Sequence, residues 1–133
     1  MRNRKETNAD CSPCLVLAHR HPESQAVLAR GFRRLGWDVY QAGSGPEARR
    51  LVRMLAADMV ILHVDLPEES GWLTCDKLIR EQPSVSVILV GDDLSPRNRE
   101  LANFVGASAL VDRAEGMVPL VEEFVESAAA VAG

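Results

Sequence analysis

The stretch Asp58-Met59-Val60-Ile61-Leu62-His63-Val64-Asp65-Leu66-Pro67-Glu68-Glu69-Ser70-Gly71 constrains the fold more than any other part of the chain. Met59 to Leu62 is an unbroken apolar run with β-branched members, which suits a strand covered on both faces, as strands of parallel sheets are. The run gives way to polar residues, a proline, two carboxylates and a glycine, so the chain leaves the sheet through a loop at the strand's carboxyl end. In open α/β sheets that edge is where ligands bind. His63 is the first polar side chain to emerge there.

The rest of the chain alternates around this strand. Cys14 to Ala18 reads as a buried strand, and His21-Pro22-Glu23 opens a helix with proline at its first position and an acid in its first turn. That helix runs to about Leu35, with Val27, Leu28, Phe32 and Leu35 as its apolar stripe, and Gly36 stops it. Trp37 to Gln41 forms a short strand. Ser44-Gly45-Pro46-Glu47 starts a second helix, whose buried positions are Ala48, Leu51, Val52 and Leu55. Beyond the organising strand, Gly71 to Glu81 reads as a helix with Leu73, Leu78 and Ile79 inward, ended by Pro83.

Val85 to Val90 is another continuous β-branched run and hence another central strand. Ser95-Pro96 caps a helix carrying Leu101, Phe104 and Val105, which Gly106 terminates. Ala109 to Val111 is a last short strand, and Met117 to about Ala130 an amphipathic helix with Val118, Leu120, Val121, Phe124 and Val125 on its apolar face. Five strands alternating with five helices imply right-handed crossovers and a parallel sheet with helices on both faces. Residues 1–13 read as a flexible arm and 14–131 as one domain, which 133 residues suffice to build.

Composition excludes several classes. A net charge of -4 with dispersed positive residues argues against a nucleic-acid surface. No apolar run approaches the ~20 residues that cross a bilayer, and no apolar core follows the charged start, so a cytoplasmic protein is expected. Cys11-Ser12-Pro13-Cys14 is a CxxC that precedes a strand instead of following one, and no second CxxC completes a zinc site. The strand ends carry no Ser-His-Asp, Cys-His or paired-carboxylate arrangement, so no enzyme is expected. Trp72 and Cys75 read as packing residues. Cobalamin or flavin binding lacks its motifs, and no cofactor is expected.

With these elements in place, the chain resembles the receiver domains of bacterial two-component response regulators from about Leu15 to Glu126. The carriers are Asp58 to Leu62 leading to Leu66-Pro67 and Gly71, the Gly106-Ala107 before the last strand, and Gly36-Trp37-Asp38-Val39. The resemblance implies a flavodoxin-like (CheY-like), doubly wound five-stranded parallel sheet in the order 2-1-3-4-5 with five helices. It also implies a phosphorylation site, and every position of that site is changed. The acids that hold magnesium fall on His19 and Arg20. The phosphoacceptor falls on His63, the hydroxyl residue after the fourth strand on Val90, and the lysine after the fifth on Arg113.

The chemistry of these residues agrees with a degenerate receiver, or pseudo-receiver. Magnesium requires hard oxygen ligands, which imidazole and guanidinium do not supply. Val90 has no hydroxyl with which to sense a phosphoryl oxygen. Asp65 shares strand parity with His63 but lies ~6–7 Å further along the chain, out of reach of the same pocket. His63 lacks a motif-placed partner that would make it a nucleophile. His19, His21 and His63 gather at the ends of two adjacent strands.

Polar filling of the pocket is therefore favoured over a metal site. The remaining acids nearby are Asp65, Asp92 and Asp93, and Arg113 is expected to pair with one of them. Protonation of the histidines near ~6.5 is expected to strengthen sulfate or phosphate binding from pH 8 to pH 6. The resulting expectation is a stand-alone signalling module acting through phosphorylation-independent binding of a protein partner or a second copy. By resemblance, the surface is the fourth helix, fifth strand and fifth helix, with Val111, Met117 and Leu120 as apolar contacts. The alternative is a small-molecule, anion or transition-metal sensor using the altered strand-end pocket. Neither reading involves nucleic acid or a membrane.

Overall fold

The computed structural model describes residues 12–113. The elements are β1 (Cys14–Ala18), α1 (Pro22–Arg34), β2 (Asp38–Gln41), α2 (Gly45–Leu55), β3 (Met59–His63), α3 (Gly71–Glu81), β4 (Ser86–Gly91), α4 (Pro96–Phe104) and β5 (Ala109–Asp112). All strand pairs are parallel, in the order β2-β1-β3-β4-β5. The sheet is the expected one, and four helices lie among the described residues. The helix read from Met117 to about Ala130 lies outside them, as does nearly all of the 1–13 arm.

Each central strand splits its residues between two cores, as its two-residue side-chain period requires. Val16, Val60, Leu62, Val87 and Leu89 meet Val52 of α2, Cys75 and Leu78 of α3 and Ala102 of α4. Leu15, Leu17, Met59, Ile61 and Ile88 meet Leu28, Ala29 and Phe32 of α1, with Trp37 packed edge-on to Phe32 at 5.4 Å between centroids. β1 and β3 are entirely buried. That double burial is why they appear in the sequence as continuous apolar runs without alternation.

Helix starts follow local chemistry. The hydroxyls of Ser44, Ser70 and Ser95 accept the backbone N–H of Glu47, Leu73 and Asn98, satisfying donors that an open helix end would leave unpaired. Gly36 and Gly106 end α1 and α4 at φ 92° and 87°, a backbone region in which a side chain is strained.

The apolar stripes are narrower than their sequence implies. Val27 and Leu35 are about half exposed, and α1 packs through Leu28, Ala29 and Phe32 instead. Leu73 is also exposed, because Thr74, Cys75 and Leu78 take the inward positions of α3. The largest departure is Phe104, 84% exposed at the last turn of α4, where Ala102 and Val105 face the core in its place.

Candidate functional site

β1 and β3 are adjacent and parallel, with Ala18 opposite Leu62, so the residues that follow them emerge side by side. β1 ends at Ala18, so His19 and His21 lie beyond the strand. The chain turns immediately into α1, whose N-cap is His21. Three imidazoles meet as a result. Ring centroids lie 4.8 Å apart for His19 and His63, 5.4 Å for His21 and His63, and 5.6 Å for His19 and His21.

Two of these rings are buried, His63 at 1% exposure and His19 at 6%. Each uses Nδ1 to hold backbone. His19 Nδ1 accepts the N–H of His21 at 3.0 Å, and His63 Nδ1 accepts the N–H of Asp65 at 3.0 Å. These bonds shape the exits from β1 and β3. They also fix the neutral tautomer, because a nitrogen that accepts carries no proton, leaving the hydrogen on Nε2. Both Nε2 atoms are buried and lack a hydrogen-bond partner among the described residues.

Burial depresses the pKa of both rings. That of His19 falls from 6.5 to about 4, first through desolvation and then through coupling to His63, His21 and Arg113, opposed by Asp92. That of His63 is lowered by burial as well, partly opposed by Asp65 and Asp92. Charging of His19 near 6.5 does not survive this environment.

The surrounding charges are paired. Arg113 donates through Nε to Asp92 at 2.9 Å, the internal pair expected of it, and its hydrogen bond lowers the pKa of Asp92. Arg20 and Asp65 face each other at 3.7 Å, both well exposed. Asp65 is thus on the rim, and only its backbone reaches the pocket. Asp93 is spent locally, its carboxylate accepting the N–H of Ser95 and its carbonyl the Asn98 amide before α4. Val90 is fully buried opposite His63, with Val64 N–H donating to its carbonyl at 2.9 Å.

A second polar centre lies in the same loop, and the sequence reading missed it. Glu69 is 8% exposed. Its carboxylate accepts from Thr74 Oγ1 and Lys77 Nζ, both at 2.7 Å, and from Arg49 Nε at 3.0 Å and Nη2 at 3.2 Å. Burial alone would raise its pKa, but these hydrogen bonds hold it down to about 2. Glu69 therefore ties the β3–α3 loop to α2 and α3. No spacing links Arg49, Glu69 and Lys77 into a motif, so only the packing of α2 on α3 reveals them. Gly71 completes the loop, since a Cβ there would strike the His63 carbonyl.

The cysteines stay outside this chemistry. Cys14 is buried in β1, with its CxxC partner Cys11 outside the described residues. Cys75 donates to the Val105 carbonyl at 3.5 Å, and burial pushes its pKa up to about 12, which removes thiolate character.

Comparison with known proteins adds an independent line. Residues 15–123 match the response regulator receiver domain. The TorCAD operon transcriptional regulatory protein TorR of Escherichia coli K12 is 32% identical over 76 residues, covering 57% of this chain and 33% of that protein. The probable transcriptional regulatory protein TcrX of Mycobacterium tuberculosis is 34% identical over 83 residues, covering 62% and 36%. The chain thus spans about a third of the length of these curated relatives. Among solved structures, the Vibrio cholerae chemotaxis protein CheY4 superposes with a TM-score of 0.78 at 14% identity, over 86% of this chain and 98% of the other. The BeF3-activated receiver domain of Klebsiella pneumoniae RstA gives 0.75 at 23% identity, over 84% and 94%.

Proposed function

Because the chain belongs to the response regulator receiver domain family, we propose that it is a pseudo-receiver: a signalling module that works by phosphorylation-independent binding to a protein partner or to a second copy. One observation carries this reading. The residue in the acceptor place is His63, a buried neutral imidazole whose Nδ1 is already committed to the Asp65 backbone. Attack on a phosphoryl donor needs an exposed nucleophile and a cation to neutralise the incoming charge. His19 is a buried imidazole and Arg20 a cation, so neither supplies the hard oxygen that magnesium needs. The module is not an enzyme on this reading.

The partner surface we assign is α4 and β5; the residues from Met117 on, expected from the sequence to continue it, lie outside the described residues. Val111 is buried and drops out as a contact, while Phe104 and Leu101 are exposed and take its place. Intact-mass spectrometry after incubation with acetyl phosphate and magnesium tests the reading. No phosphoryl adduct is expected, and association measured by sedimentation should be unchanged by beryllofluoride. An adduct, or association that requires the phosphodonor analogue, overturns the proposal. A second reading, a ligand sensor at the strand ends, is favoured by the two unpartnered Nε2 atoms.

A further inference from the structure

Native proteins rarely leave a buried N–H without an acceptor, because the hydration it loses is not replaced. His19 and His63 present two such groups, on rings that touch. Both Nε2 atoms carry hydrogens, since both Nδ1 atoms accept backbone N–H groups, so the rings cannot satisfy one another. What the pair lacks, among the described residues, is an acceptor.

The same tautomers argue against a metal. A transition metal needs the lone pair of Nε2, which the proton occupies, and freeing it would move that proton to Nδ1, into opposition with the N–H of His21 and Asp65. Among the described residues, no three His, Cys, Asp or Glu side chains are placed to hold a metal ion. The permanent cations nearby, Arg113 and Arg20, are paired at 2.9 Å with Asp92 and at 3.7 Å with Asp65. Two buried N–H donors on touching rings, without an acceptor among the described residues, fit a small anion.

We propose that the Nε2–H groups of His19 and His63 form a two-donor site for a small inorganic anion, chloride or inorganic phosphate, with one acceptor atom bridging both rings. This rests on the sensor reading of the strand-end pocket and not on the interaction reading. His21 is the entry point. Its ring lies against both others, it is only partly buried, and as the N-cap of α1 it makes no side-chain capping bond that would hold it in place. Displacing that ring uncovers the two donors without disturbing a backbone hydrogen bond.

The test is a side-chain 15N NMR titration of the uniformly labelled full chain at pH 7.5, with chloride exchanged for gluconate at constant ionic strength. Parallel titrations use inorganic phosphate and zinc. The expected result is Nε2–H tautomers for His19 and His63, and saturable shifts of both Nε2 resonances with a single dissociation constant for one of the two anions. His21→Ala should keep the tautomers and speed exchange. His63→Leu should abolish the response at His19. Nδ1–H tautomers, or shifts that rise linearly with salt, overturn the anion site. Saturation by zinc overturns it too while leaving the sensor reading standing, whereas no saturable ligand of either sign removes both.

Discussion

The Nδ1 atom of His63 accepts the backbone N–H of Asp65 at 3.0 Å, so the imidazole at the end of β3 is fastened to the loop that follows it. The Asp65 carboxylate meanwhile faces Arg20 at the surface, 3.7 Å away. The imidazole is part of the loop's backbone architecture, and its replacement has consequences for both chemistry and stability.

Restoring the acid at that one position should not restore a metal site. His63→Asp leaves His19 and Arg20 where receiver domains carry their acids, so calorimetry should show no magnesium binding at millimolar concentration. The single variant should also lose about 1–3 kcal/mol, because it buries a carboxylate without a built partner. Adding His19→Asp and Arg20→Asp should create measurable magnesium affinity. Magnesium binding by the single variant would show that the neighbouring positions are not what disables the site.

Stability should fall with acidification in two windows. His19 has a folded pKa of about 4 against 6.5 when unfolded, so below pH 6.5 the unfolded chain binds more protons than the folded one. Stability is then lost progressively from pH 6.5 down to about 4, by about 3 kcal/mol for a single group shifted this far. Glu69 acts lower. Its folded pKa of about 2 against 4.5 gives stability that is present above 4.5 and lost as pH falls toward 2. Urea midpoints from pH 8 to pH 3 check this, and His19→Leu should flatten only the upper window. A midpoint that stays constant from pH 7 to pH 5 would contradict the buried neutral rings.

What the sequence reveals depends on whether a feature is local. β1, β3 and β4 are legible because strands buried on both faces must be continuously apolar, and the serine and glycine ends of the helices because capping acts within a few residues. The residues of the strand-end edge are legible for the same reason, since each sits at the end of a strand. Their mutual arrangement is not. The three-ring contact depends on β1 ending at Ala18 instead of continuing through His19, and the commitment of each Nδ1 depends on loop geometry. Phe104 misleads in another way, because its inward or outward direction at the end of a helix is set by the last turn and not by the 3.6-residue period.

Glu69 should matter more to stability than any other loop residue. Glu69→Ala removes the acceptor for Arg49, Thr74 and Lys77 together and should cost about 3 kcal/mol, discounted for the partly exposed Lys77. Thr74→Val removes one neutral donor and should cost about 1 kcal/mol. Gly45→Ala, whose Cβ would collide with the Thr74 hydroxyl, should resemble the larger loss. Chemical denaturation of the three variants gives the order directly, and a neutral Glu69→Ala would mean that the carboxylate is not what holds the loop to α2 and α3.

The final prediction separates the interaction surface from the fold. Phe104 is 84% exposed and Leu101 beside it 37%, an aromatic and an aliphatic group left to solvent on a helix whose core contacts come from Ala102 and Val105. Exposed side chains contribute little to folding, so Phe104→Glu should shift stability by no more than about 0.5 kcal/mol. Interfaces, by contrast, concentrate their energy in buried aromatic anchors, and a charge placed in such a centre should weaken association roughly tenfold or more. Sedimentation equilibrium, or capture of the cognate partner, should therefore show loss of binding by a fully folded variant, with or without beryllofluoride. Charge reversal at Arg99 should produce a smaller, salt-dependent effect, because rim charges govern encounter more than residence. Association that survives Phe104→Glu unchanged would move the interaction surface away from α4.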